Sequence, residues 1–213
     1  MRKKGPILKE EYRRLKTAIQ ARISEFESLG RTGNKSLIFA ELCFCLLTPQ
    51  SSAIRANKAI QDLKEAGLLA VGRAEEIAPV IKKHGVRFFN TKAKYIASAR
   101  NFDLTKVLEI AKRDEREARE FLVRSVKGMG YKEASHFLRN IGFGKTLAIL
   151  DRHILKNIAR EGIMKKGAIP KSLKKTDYLH IEEKLLDFSK EKKIPLPHLD
   201  LLLWARETGF IFK

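Results

Sequence analysis

The chain has 213 residues, 44% hydrophobic and 32% charged, a balance that excludes a disordered polymer and suffices to bury a core. Its 44 basic against 25 acidic residues leave a formal charge of +19, a surplus that attracts polyanions, nucleic acid foremost, although a basic surface that simply faces water fits it too. No apolar run reaches the roughly 18 residues of a membrane span, and Arg2, Lys3 and Lys4 lead into Gly5 and Pro6 rather than a signal core; a cytoplasmic, nucleoid-associated protein is the expectation.

In chain order, nearly every segment reads as helix. Tyr12, Leu15, Ile19, Ile23 and Phe26 form one face of a long first helix. Gly30 to Asn34 reads as a loop. A helix near 36–47 carries LCFCLL, whose Cys43 and Cys45 read as buried thiols, since no CxxC and no four-cysteine set exists. Shorter helices follow near 52–66, 73–83, 91–101, 104–112 and 115–125, punctuated by Gly67 and Gly85. No stretch alternates with period two, so the fold class is all-α, with no substantial sheet.

The stretch KGMGYKEASHFL, Lys127 to Leu138, is a helix end, a Gly-x-Gly turn and a new helix with Ala134, Phe137, Leu138 and Ile141 as its buried stripe. Backbone N–H groups at Gly128 and Gly130 and the following helix N-terminus offer a seat for one phosphate, without reading sequence; a glycine-rich turn that merely turns is the competing reading. Lys132 stands in the first turn, where a cation is disfavoured; a helix N-terminus and burial lower a lysine pKa and free its amine as a nucleophile, while a solvated surface lysine, one of 44 basic residues, is the competing reading. His136, on the apolar side, is read as satisfying a core hydrogen bond. Past a loop at Gly142 to Lys145 comes AILDRHIL, in which Asp151 caps a helix and can also serve as a rigid catalytic carboxylate. Tyr178, Ile181, Leu185 and Phe188 mark a further helix, Ile194 to Pro197 a loop, and LDLLLWA a last helix before an apolar tail ending at Lys213.

Gly-x-Gly-x-Lys followed about twenty residues later by an aspartate before a helix resembles the helix-hairpin-helix DNA glycosylases. KGMGYKEASHFLRNIGFG and AILDRHIL, with ELCFCLLTPQSS, RFFNTKAKYI, REFLVRSVKG and LDLLLWARETGFIFK, look closer to one branch, the archaeal-type 8-oxoguanine DNA glycosylase/AP lyases, along nearly the whole chain. Other branches carry a four-cysteine iron–sulfur loop that this sequence lacks. The resemblance implies two helical subdomains flanking a DNA cleft: residues 35–142, ending in the hairpin, and residues 1–34 with 143–213. It implies Lys132 as nucleophile and Asp151 as essential acid, excision of 8-oxoguanine through a Schiff base, and nicking by β-elimination.

The resemblance further implies that Phe88 and Trp204 sandwich the flipped base, that Lys213 joins its recognition, and that Gln50 fills the gap opposite the orphan base. Core packing for the two aromatics, a frayed end for Lys213 and a simple turn at Gln50 are the competing readings. Asp200, one turn before Trp204, is either a pocket residue or the cap of the last helix. Lys127, Arg152 and His153 either contact phosphates or are solvated. The implied partner is double-stranded DNA containing 8-oxoguanine, met by a monomer with no obligate protein partner. The chemistry requires no metal or organic cofactor; the resemblance suggests a monovalent cation, K⁺ or Na⁺, at the hairpin. A sister glycosylase for another damaged base, and a non-enzymatic hairpin module, are the alternatives.

Overall fold

Twelve α-helices organise residues 5–170 and 172–213, the part of the chain described by a computed structural model; no strand occurs among them. Arg2, Lys3 and Lys4, on which the signal-peptide reading rested, lie outside the described residues. The helices are α1 (Gly5–Thr32), α2 (Lys35–Leu47), α3 (Ala53–Glu65), α4 (Leu68–Val71), α5 (Ala74–Lys83) and α6 (Phe89–Ala99). After them come α7 (Leu104–Arg113), α8 (Glu115–Ser125), α9 (Tyr131–Asn140), α10 (Arg152–Arg160), α11 (Lys175–Lys192) and α12 (Leu196–Thr208). Short polar side chains start several of them: Asn34 accepts from the Leu37 N–H, Asp103 from that of Lys106, and Asp114 from those of Arg116 and Glu117. None of the described helices is long and apolar enough to cross a membrane.

Two apolar cores form. The first gathers residues from Ile38 to Leu147 around α2, whose Leu42, Cys43, Phe44, Cys45 and Leu47 are fully buried. Burial pushes both thiols up, so Cys43 and Cys45 behave as small apolar side chains. The second joins Leu8, Ile19 and Phe26 of α1 to Ala148 and residues beyond it, on α10, α11 and α12. The predicted stripes follow: Ile19 and Phe26 are buried while Tyr12, Leu15 and Ile23 pack at the margin, and Ala134, Phe137, Leu138 and Ile141 are fully enclosed.

Two predicted loops are helix instead. Residues 30–32 continue α1, because Gly30 lies against the backbone of Ile141: a Cβ there would stand 2.1 Å from the Ile141 carbonyl oxygen. The glycine is a contact residue between the two cores, not a breaker. Leu196 and Pro197 open α12, since a proline in the first helical turn forfeits no intrahelical bond.

One buried ion pair ties the cores together. Arg119 of α8 donates to both carboxylate oxygens of Glu182 on α11, at 2.6 and 2.9 Å, and to Ser135 Oγ at 3.2 Å. Glu182 also accepts from the Ala148 N–H at 2.7 Å, and the guanidinium lies 4.9 Å from the Tyr131 ring centroid. Replacing Arg119 with methionine strands a buried carboxylate, so Arg119→Met is expected to lower unfolding free energy by about 3–5 kcal/mol, read as a drop in urea midpoint.

Candidate active site

The turn between α8 and α9 is built by its glycines. Gly128 takes φ +84°, and a Cβ there would strike the Tyr95 ring at 2.3 Å, so both conformation and space demand glycine. Met129 tucks into the first core while Lys127 and Gly128 face solvent. Among the described residues, no backbone N–H donates to the carbonyls of Lys127, Gly128 and Met129, which leaves oxygen donors of the kind a monovalent cation takes. Gly130 precedes α9 in extended conformation, and Lys132 is the second residue of that helix.

Lys132 is one-fifth exposed; its Nζ donates to Thr48 Oγ1 at 3.1 Å and pairs with Glu133 Oε1 at 3.1 Å. It opens onto a cleft of about 1010 Å³. On the same cleft stands Asp151, the N-cap of α10. Its Oδ1 accepts from the N–H groups of both His153 and Ile154 at 2.8 Å, which fixes the carboxylate and leaves Oδ2 outside the cap. Lys132 comes from a helix of the first core and Asp151 from a helix of the second.

Gln50, Arg152, His153, Asp200, Trp204 and Lys213 line this cleft as well. Phe88, Lys127, Gly128 and Gly130 do not. Phe88 is exposed, in a left-handed conformation with φ 57°, beside Arg87, which does line the cleft and whose guanidinium lies 5.3 Å from the Phe88 ring. Trp204 is partly buried, stacked on Phe212 at 6.1 Å and met edge-on by Phe210 and His153. Asp200 does not cap α12, which begins four residues earlier. Its carboxylate is buried, pairs with Arg139 at 3.6 Å, and is pushed up to about 7 by burial, against the pull of Arg139 and with a push from Asp151.

The expected core hydrogen bond of His136 is absent. The ring packs edge-on against Phe44 at 5.5 Å, and neither nitrogen has a partner in hydrogen-bonding geometry, although the Lys213 backbone runs alongside. Burial, then Arg139, Lys132 and Lys213, hold it well below the usual range, so it is neutral. Its spacing of four residues from Lys132 on α9 puts both on one helix face, a signal legible in sequence.

Lys92 carried no such signal. Its buried ammonium donates to the carbonyls of Leu47 and Pro49 at 2.8 and 2.7 Å and to Ser51 Oγ at 3.1 Å. It thereby braces the loop that presents Thr48 to Lys132 and holds Gln50 at φ 52°. Burial first, then Lys132, lower its pKa to about 8.

Residues 19–194 match a family model described as 8-oxoguanine DNA glycosylase. The 8-oxoguanine DNA glycosylase/AP lyase of Fusobacterium nucleatum is 43% identical over 209 residues, 95% of this chain and 94% of that protein. That of Methanocaldococcus jannaschii is 43% identical over 202 residues, 93% of each. Among solved structures, the 8-oxoguanine DNA glycosylase of Thermotoga maritima superposes with a TM-score of 0.87 at 36% identity, covering 97% of this chain and 98% of that one. The M. jannaschii 8-oxoguanine glycosylase/lyase in complex with a 15mer DNA containing 8-oxoguanine gives 0.84 at 38% identity, covering 97% and 100%.

Proposed function

Because the chain belongs to the 8-oxoguanine DNA glycosylase family, we propose that it excises 8-oxoguanine from DNA and then nicks the strand, acting as a monomer on duplex DNA. The observation that carries this reading is the meeting of Lys132 and Asp151, one from each core, on a single cleft of a strongly basic protein.

The damaged base is extruded from the stack into the cleft, at a cost of a few kcal/mol. Trp204 offers a face for stacking; Asp200 and Lys213 offer polar groups to its edge. An acceptor set against N7–H prefers 8-oxoguanine, because guanine N7 is itself an acceptor and leaves that group unpaired. Gln50 fills the vacated space and donates and accepts to the orphan base.

Lys132 sheds a proton, for which Glu133 Oε1 at 3.1 Å lies in reach, and its amine attacks the sugar C1′. The C1′–N9 bond breaks and the base departs with the bonding pair, taking a proton. Asp151 stabilises the positive charge that grows on the sugar. Ring opening yields an imine between Nζ and C1′. The imine acidifies the 2′ hydrogens; loss of one expels the 3′ phosphate, and the strand is cut 3′ to the lesion. Lys127, Gly128, Gly130, Arg152 and His153 hold the phosphates on either side. No metal or organic cofactor takes part in these steps; a K⁺ or Na⁺ ion on the hairpin carbonyls would only fix that turn against the backbone.

Borohydride trapping on a panel of duplexes tests the substrate. The expected result is a covalent adduct on 8-oxoguanine opposite cytosine, in excess over undamaged, oxidised-pyrimidine and mismatched-thymine duplexes. An equal adduct on the other lesions, or none on 8-oxoguanine, overturns the substrate assignment.

A further inference from the structure

Beyond the Lys132–Asp151 pair, the segment Phe210–Lys213 turns back from α12 onto the first core. Lys213 Nζ donates to Glu41 Oε1 at 2.6 Å, and the ammonium lies 4.7 Å from the Phe44 ring centroid. The other oxygen of Glu41 accepts from Asn140 Nδ2 at 2.9 Å, and Asn140 is itself fully buried on α9. Phe212 seats its edge on Phe44 at 6.4 Å while stacking on Trp204. The side chains of Lys213 and Glu41 are only 17% and 14% exposed. A carboxylate that enclosed is unfavourable unless paired, and its partners on α9 and in the tail supply both pairs. Lys213 lines the cleft; Glu41 does not, and stands behind it.

We propose that Glu41 is a positioning residue: with Asn140 and Phe44 it forms a socket that fixes Lys213 on the cleft wall, and through it governs discrimination of the flipped base. This deepens the function proposed above and rests on it for the identity of the base. A lysine chain has many rotamers, and one held by an ion pair and an aromatic face before substrate arrives presents its ammonium already ordered. The socket has no part in the chemistry at C1′, so its loss affects reading of the base rather than attack on the sugar.

The test compares Glu41→Gln, Lys213→Gln and the double variant in two assays, single-turnover excision of 8-oxoguanine and nicking of a preformed abasic site, where no base has to be read. Glu41→Gln is expected to slow excision by about ten- to hundred-fold and to leave nicking near the wild-type rate. The double variant is expected to match Lys213→Gln alone, because Glu41 acts only through that lysine. Equal loss of both activities, or a further additive loss in the double variant, overturns the proposal. Trp204, the sole tryptophan, gives a readout independent of substrate: Glu41→Gln frees Phe212 from its face and raises acrylamide quenching of its fluorescence. Unchanged quenching overturns the socket whatever the lesion. A wild-type protein that nicks abasic sites but ignores 8-oxoguanine sinks the functional reading alone, and the quenching comparison still decides on the socket.

Discussion

Lys132→Gln is expected to leave the protein folded and to abolish both base removal and strand nicking. The side chain sits near the start of α9, partly exposed, held by Thr48 Oγ1 and Glu133 Oε1. Glutamine leaves the apolar core untouched but takes the cation from Glu133, whose side chain is 12% exposed, so a stability loss of about 1–3 kcal/mol is expected, too little to unfold the protein. Without an amine no imine forms, and the elimination that depends on the imine has no route. The rate is expected to fall by at least about 10⁴-fold, the scale of removing a covalent nucleophile. Single-turnover cleavage of an 8-oxoguanine duplex and borohydride trapping both measure this. An adduct that persists in the variant assigns the nucleophile to another amine; Lys92, buried beneath the neighbouring loop, is the first to examine.

Asp151→Asn separates the two roles of one side chain. As the cap of α10, Asp151 uses a single oxygen for two backbone N–H groups. Asparagine caps a helix as well as aspartate does, so thermal unfolding is expected to be nearly unchanged, whereas Asp151→Ala costs about 1 kcal/mol. What asparagine lacks is the negative charge that the proposed mechanism sets against the sugar. Losing a positioned charge that stabilises a developing cation is expected to slow excision by about 10²–10³-fold. A rate equal to wild type in the asparagine variant removes the carboxylate from the chemistry and leaves it a cap.

The helices and the hairpin were legible in the chain because each is written in local terms; that Lys132 and Asp151 belong together came from the family resemblance, and the cleft they share came from the fold. Apolar spacing at 3, 4 and 4 residues says which face of α1 is buried. Gly-x-Gly says where the backbone turns left-handed, and a short acidic side chain before an apolar run says where α10 begins. Glycine and proline were read less well where their neighbours were distant: Gly30 stays helical because Ile141 presses on it, and Pro197 opens α12 rather than preceding it.

The amino-acid sequence by itself determined an all-helical protein, a glycine hairpin, and a lysine and an aspartate each at the start of a helix. Only the tertiary structure decided which ionisable groups lie out of water and what meets them there. Glu41 and Lys213 are 172 positions apart, and Arg119 and Glu182 are 63 apart. The ammonium of Lys92, the carboxylate of Asp200 and the neutral ring of His136 owe their states to helices that close over them. Burial and through-space charge set those energies, and neither has a period or a spacing along the chain.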